Sequence, residues 1–185
     1  MTPTFRLTLL SALCTALAMP WAAVHAQTVL TPASERISDT AIHADYQAYE
    51  ATQGRIKALN DGGRRVRDYH LSKAQCWLDV SFHEYTRNDR SAFPQEALDQ
   101  SVRLIALMEQ KASPLPYDTP LVNGADKLRP DLWEATENWK TRDGFQCVAQ
   151  RVSCAEVELV HAVNEHKQQG WRHAKPYVQI AEDLL

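Results

Sequence analysis

The chain has 185 residues, 44% of them hydrophobic, with 20 Lys and Arg against 23 Asp and Glu for a formal net charge of −3. That is enough apolar material for a compact domain with its own core. A mildly acidic chain without a long basic run excludes the phosphate neutralisation that drives nucleic-acid binding, so no nucleic acid is expected as a partner.

Residues 1–26 read as a secretory signal. Arg6 is the only charge, Leu7 to Ala18 form the apolar stretch, and Val24-His25-Ala26 ends on small residues at the cleavage positions. The apolar stretch is too short to span a bilayer permanently, so no transmembrane segment is expected once the signal is removed. Cys14 follows Leu13 instead of the small residue that a lipoprotein site needs. Export places the chain in the periplasm, where disulfides are permitted. Cys76, Cys147 and Cys154 remain after cleavage, so at least one is free or pairs between chains.

Residues 27–38 read as a flexible tether, followed by a single helical domain over 39–185. Ile42, Tyr46, Tyr49, Ile56 and Leu59 make one apolar stripe, stopped by Asn60-Asp61-Gly62-Gly63. The next helix carries Leu71, Ala74, Leu78, Phe82 and Tyr85 on one side and Tyr69, Cys76 and Val80 on another, which predicts a central helix. His83-Glu84-Tyr85-Thr86-Arg87-Asn88-Asp89-Arg90-Ser91-Ala92-Phe93-Pro94 follows as a polar elbow, with Asn88, Asp89 and Ser91 suited to a turn and cap. After Pro94, Leu98, Ser101, Val102, Ile105 and Met108 keep helical spacing.

Residues 112–125, with Pro114, Pro116, Pro120 and Gly124, predict one long loop. Pro130 and Asp131 open a short helix with Leu128, Leu132, Ala135 and Trp139 inward. The clearest helix starts near Asp143, repeats Phe145, Val148, Val152, Ala155, Leu159 and Ala162, and stops near Gly170. Trp171, Ala174, Val178 and Ala181 predict a last helix, kinked or started by Pro176. The expected class is all-α: five to six helices in antiparallel hairpins, with tetratricopeptide-like or bundle packing. Cys76, His83 and Phe93 recur as Cys154, His161 and Trp171 at a constant offset of 78 residues, which points to two related hairpins, with Phe93 and Trp171 as apolar plugs.

Cys76, His83, Cys154 and His161 have the composition of a zinc site, but each Cys and His lie about 10.5 Å apart along a helix. Ligands of one tetrahedral ion lie only about 3–4 Å apart. No metal site is therefore expected from these four. Glu158-Leu159-Val160-His161 matches the Glu-x-x-His of di-iron bundles, yet the second copy that such sites need is missing. There is no Gly-x-Ser-x-Gly, and Asp79 and Glu84 are ordinary helix carboxylates. Neither catalysis nor a cofactor is expected.

Cys147 and Cys154 are also about 10.5 Å apart in one helix, too far for a disulfide. Cys76–Cys154 is the favoured bridge and Cys76–Cys147 the next, the alternative being three small buried side chains. Arg64, Arg65 and Arg67 crowd a helix start, where the dipole disfavours positive charge. They are candidate contacts for an anionic partner, such as a phospholipid head group or a cell-wall polymer. Trp77, with Trp133, Trp139 and Trp171, is a candidate for a binding groove, although Trp139 and Trp171 lie on apolar stripes.

Several segments carry a resemblance. Tyr69 to Asp79 (YHLSKAQCWLD) runs into HEYTRNDRSAFPQEAL. Leu128 to Trp133 (LRPDLW), Arg151 to Val160 (RVSCAEVELV) and Gly170 to Tyr177 (GWRHAKPY) follow. Together they resemble the helical N-terminal region of OmpA-family envelope proteins of Gram-negative bacteria, from about residue 40 to the end. In that family a C-terminal OmpA-like domain binds peptidoglycan; this chain stops at Leu185 without it, so those binding residues match no position here. The ending Glu182-Asp183-Leu184-Leu185 does not look like a helix end, which favours a fragment over a free-standing unit. The resemblance implies a non-catalytic periplasmic interaction or scaffold module, with an envelope protein or cell-wall-associated partner. Two alternatives stand beside it: a metal-binding or enzymatic bundle using His83, His161 and Glu158, and a small-ligand binder using the Trp residues beside the 112–125 loop.

Overall fold

A computed structural model describes residues 28–185; the expected signal over 1–26 and Cys14 lie outside the described residues. Six helices follow in order: α1 (Asp39–Asp61), α2 (Tyr69–Thr86), α3 (Phe93–Glu109), α4 (Pro130–Lys140), α5 (Phe145–Gln169) and α6 (Trp171–Leu184). The described residues contain no strand, so the domain is all-α. No helix among them is long and apolar enough to cross a membrane.

Local chemistry sets the ends. Ser38 caps α1 by accepting from the Ala41 amide, and the helix stops at Gly62 and Gly63, where Gly63 takes φ +102°. Asp68 caps α2 by accepting from the His70 and Leu71 amides. Gly170 at φ +77° separates α5 from α6. Pro176 lies inside α6, which starts at Trp171, so the ladder lacks the bond that residue 176 would donate.

α2 is buried on nearly every side, as its two apolar stripes predict. α1 runs antiparallel to it, joined by Tyr85 donating to Asp45, Tyr49 meeting Ser81, and Gln53 paired with Gln75. α3 returns antiparallel on another side, where Ser81 donates to the Pro94 carbonyl and Ser101 to that of Ala74. α5 runs parallel to α2. Ser72 meets Ser153, Cys76 is bonded to Cys154, and Glu84 meets His161, so contacts rise along both helices together. The bridged α-carbons are 5.5 Å apart, while Cys147 is free and exposed. α6 folds back antiparallel on α5, and α4 packs on α5 from outside. Trp77, Leu98, Ile105, Leu159 and Val160 belong to the main core; Tyr69, Phe145, Ala149 and Val152 form a smaller one.

The pairing of α2 with α5 decides between the two expected packings. In a repeat stack, successive units are related by translation, so equivalent residues face the same way and do not touch. Here Cys76 is bonded to its counterpart Cys154, and the His83 and His161 rings are 5.3 Å apart. The two hairpins therefore meet through the same face at Cys76–Cys154 and His83–His161, a contact of the bundle kind.

Three expectations need correcting. Residues 28–38 are docked and do not form a tether. Leu30 is 4% exposed within the main core, its amide donates to Gln95, and Thr31 donates twice to Asp45. Trp77 is 0% exposed and packs in the core, so it cannot touch a partner. Trp171 is 50% exposed at the α5–α6 joint, whereas Phe93 is fully buried, so only Phe93 acts as a plug.

A buried charge cluster ties α2 to α5 and the long loop. Lys73 Nζ donates to Glu156 at 2.9 Å, to the Tyr69 hydroxyl at 2.8 Å, to the Asp118 carbonyl at 2.9 Å and to Thr119 at 2.6 Å. Tyr69 donates to the same Glu156 oxygen, and Lys140 pairs with the other at 2.7 Å. Burial alone would raise the Glu156 pKa, but Lys73 and Lys140 outweigh it and hold the carboxyl below its ordinary range. Burial pushes the Lys73 ammonium down, with Glu156 opposing the shift.

Candidate functional site

Two regions gather chemistry that the core does not consume. The first lies where the polar elbow leaves α2. Helical spacing aligns Glu158, His161 and Glu165 on one face of α5, and His173 with Tyr177 on one face of α6. The last turn of α2 adds His83 and Glu84, and Arg87 follows at its C-cap.

His161 is buried at the centre. Its Nε2 stands 2.8 Å from Glu84 Oε1 and its Nδ1 3.1 Å from Glu158 Oε2. The Tyr177 ring packs over it at 3.9 Å between centroids, and Phe93 stacks at 5.8 Å. Burial would lower the His161 pKa, but Glu158 and Glu84 outweigh it and raise it. His83 is more open, its side chain 44% exposed, with Nε2 3.7 Å from Glu84 Oε1. The same nitrogen lies 3.0 Å from the Tyr177 hydroxyl and 3.4 Å from Arg87 Nη1. Burial, followed by His161, pushes the His83 pKa down.

Glu165 completes the group. It is 0% exposed, and neither of its oxygens accepts a hydrogen bond from a described donor. Arg87 and His173 stand off at 3.6 and 3.7 Å. Burial and then the adjoining Glu84 carboxylate raise the Glu165 pKa. A cleft of about 330 Å³ opens beside it, lined by Glu84, Arg87, Asp89 and Glu165 among others. Below the elbow, Asn164 donates to Asp89 and accepts from Asn123, fixing the turn to α5 and to the long loop.

The structure thus brings together His83, His161 and Glu158, which the sequence singles out. It places Glu158 on the far side of His161 and puts Glu84 between the two imidazoles. Glu84, Glu165, Arg87 and Tyr177 are not legible as a set from the sequence. The available signal is the continuation of Glu158-x-x-His161 by Glu165 one turn later. Cys76 and Cys154 are consumed by their bridge and do not contribute.

The second region is the turn between α1 and α2. Arg64, Arg65 and Arg67 line a cleft of about 860 Å³ together with Met108, Lys111 and Cys147. Arg64 pairs with Asp68 at 3.1 Å, and Glu109 on the rim is paired with Arg55 at 2.7 Å. The hydrogen bond and charge of Arg55 outweigh burial and hold the Glu109 pKa below its ordinary range. Arg65, Arg67 and Lys111 are exposed, and Val66 beside them is 60% exposed. The tryptophans do not join this cleft: Trp133 is buried, Trp139 packs on the smaller core, and Trp171 is exposed elsewhere. No family model matches the chain, and no curated protein or solved structure matches it.

Proposed function

We propose that this chain is a non-catalytic module of the bacterial cell envelope, exported to the periplasm, that holds an anionic cell-wall-associated partner. The observation that carries this reading is the arginine-lined cleft. Its acids are paired with Arg55 and Arg64, while Arg65, Arg67 and Lys111 remain turned to solvent. Guanidinium groups present a planar fork suited to carboxylates and phosphates, and an exposed cluster of them attracts polyanions. The leader at residues 1–26, the Cys76–Cys154 bridge and the resemblance to the helical region of OmpA-family proteins support an envelope setting.

Co-sedimentation with purified peptidoglycan sacculi tests it. The wild-type chain is expected to pellet, more weakly as salt rises, because exposed charges are screened. The R65E/R67E/K111E variant is expected to stay in solution. Equal pelleting of both proteins would remove the cleft from the account. A second reading, a metal-binding helical bundle, is favoured by the meeting of His83, Glu84 and His161 at the end of α2.

A further inference from the structure

We propose that His83, Glu84 and His161 form a site for one divalent first-row transition-metal ion, with Glu158 orienting His161 from behind and Glu165 buried beside it. The inference is independent of the arginine cleft, which lies at the α1–α2 turn.

The geometry comes first. His83, Glu84 and His161 each offer a ligand atom within 4.8 Å of the others. Bonds of about 2.0–2.2 Å to a tetrahedral ion separate its ligands by about 3–4 Å. The observed 3.7 Å from His83 to Glu84 falls within that spacing, and the 2.8 Å from His161 to Glu84 lies just below it. Two imidazoles with carboxylates suit zinc, iron or their neighbours better than the oxygen-seeking magnesium or calcium.

Outer contacts are arranged as such a site requires. Ligating histidines hold one ring nitrogen against a carboxylate, so that the other faces the metal. Glu158 occupies Nδ1 of His161, and Nε2 points to Glu84. An ion at Nε2 replaces the hydrogen-bonded link between His161 and Glu84. His83 is half-exposed and able to turn inward, giving up its contact with the Tyr177 hydroxyl.

Charge supplies the second argument. Glu84 and Glu165 adjoin each other, and the nearest cationic groups to Glu165, Arg87 and His173, stand off at 3.6 and 3.7 Å. Glu165 is fully buried with neither oxygen hydrogen-bonded. Burying a carboxylate whose oxygens lack hydrogen-bond donors is costly, and a divalent cation beside it offsets that cost. The cleft lined by Glu84, Arg87 and Glu165 provides an entry path from solvent. Rigidity comes from the Cys76–Cys154 bridge, two helical turns away on both α2 and α5, which fixes the spacing of the helices that carry the ligands.

The test uses the full exported chain, stripped with chelator, with the Cys147 thiol alkylated. Calorimetric titration with Zn²⁺ is expected to give one ion per chain, and Co²⁺ to give a visible ligand-field band. H83A and E84Q are each expected to weaken Zn²⁺ by about tenfold or more, and E158Q by about 10–100-fold through loss of the orienting bond. H43A, which removes an exposed imidazole on α1, is expected to bind as wild type. H83A alters a half-exposed side chain, and unchanged helical circular dichroism separates loss of metal from loss of fold. Absence of stoichiometric binding by the wild type overturns the proposal. So does wild-type affinity in both H83A and E84Q.

Discussion

Glu156 is fully buried and faces two ammonium groups. Lys73 and Lys140 pair with its separate oxygens at 2.9 and 2.7 Å, and Tyr69 donates to it as well. Removing one partner of a buried pair leaves an uncompensated charge and costs about 3–5 kcal/mol. E156Q is therefore expected to lower unfolding stability by about that amount at neutral pH, read from urea denaturation. The pH dependence has a definite sign. The folded-state carboxyl titrates below its unfolded value, so its stabilisation is present above about pH 4.3 and lost as pH falls through the folded value. The gap between wild type and E156Q should close in acid; a constant gap from pH 7 to 3 would contradict the assigned direction. None of this was legible in the sequence. Lys73 and Glu156 are 83 residues apart, each an ordinary polar position on an amphipathic helix, and the loop carbonyl and hydroxyl that finish the cage have no sequence pattern.

At the scale of elements, periodicity located the helices because each buries a stripe recurring every three or four residues. The two stripes of α2 even placed it at the centre. The same logic failed for residues 28–38, because a docked irregular segment has no period. Leu30 enters the core alone, and its polar neighbours are satisfied by Asp45 and Gln95, which no local rule connects to it. Trp77 was misread for a related reason: aromatic character marks interfaces and cores alike, and only packing tells them apart. The docked segment leads to a prediction. L30A should cost about 2–3 kcal/mol, at the lower end for Leu-to-Ala in a core because the segment can relax. Hydrogen exchange should speed up at the Leu30 and Thr31 amides, while α5 stays protected. Uniform loss of protection would instead mean that residues 28–38 belong to the global unfolding unit.

For the whole molecule, the candidate metal centre depends on how α2 and α5 are held side by side. The offset of 78 between Cys76 and Cys154 exposed the register, since the bridged residues occupy equivalent positions in two hairpins. It did not reveal the face, because one-dimensional spacing cannot say whether equivalent residues look toward or away from each other. The bridge settles that, and its thermodynamic weight follows from the loop it closes. Linking residues 78 apart removes denatured-chain entropy worth roughly 4–5 kcal/mol in the loop-closure treatment. With Cys147 alkylated to prevent exchange, C76S/C154S should lower the unfolding free energy by about that amount. Helical circular dichroism should persist, because the apolar contacts of both hairpins remain. The centre should respond more sharply than the fold. His83 and Glu84 lie on α2, whereas His161 lies on α5, so any loosening between the helices acts directly on ligand spacing. The unbridged variant is accordingly expected to bind Zn²⁺ more weakly than the bridged chain at a temperature where both remain folded. Equal affinity would show that other contacts alone, chiefly Ser72 against Ser153 and Glu84 against His161, hold the helices in register.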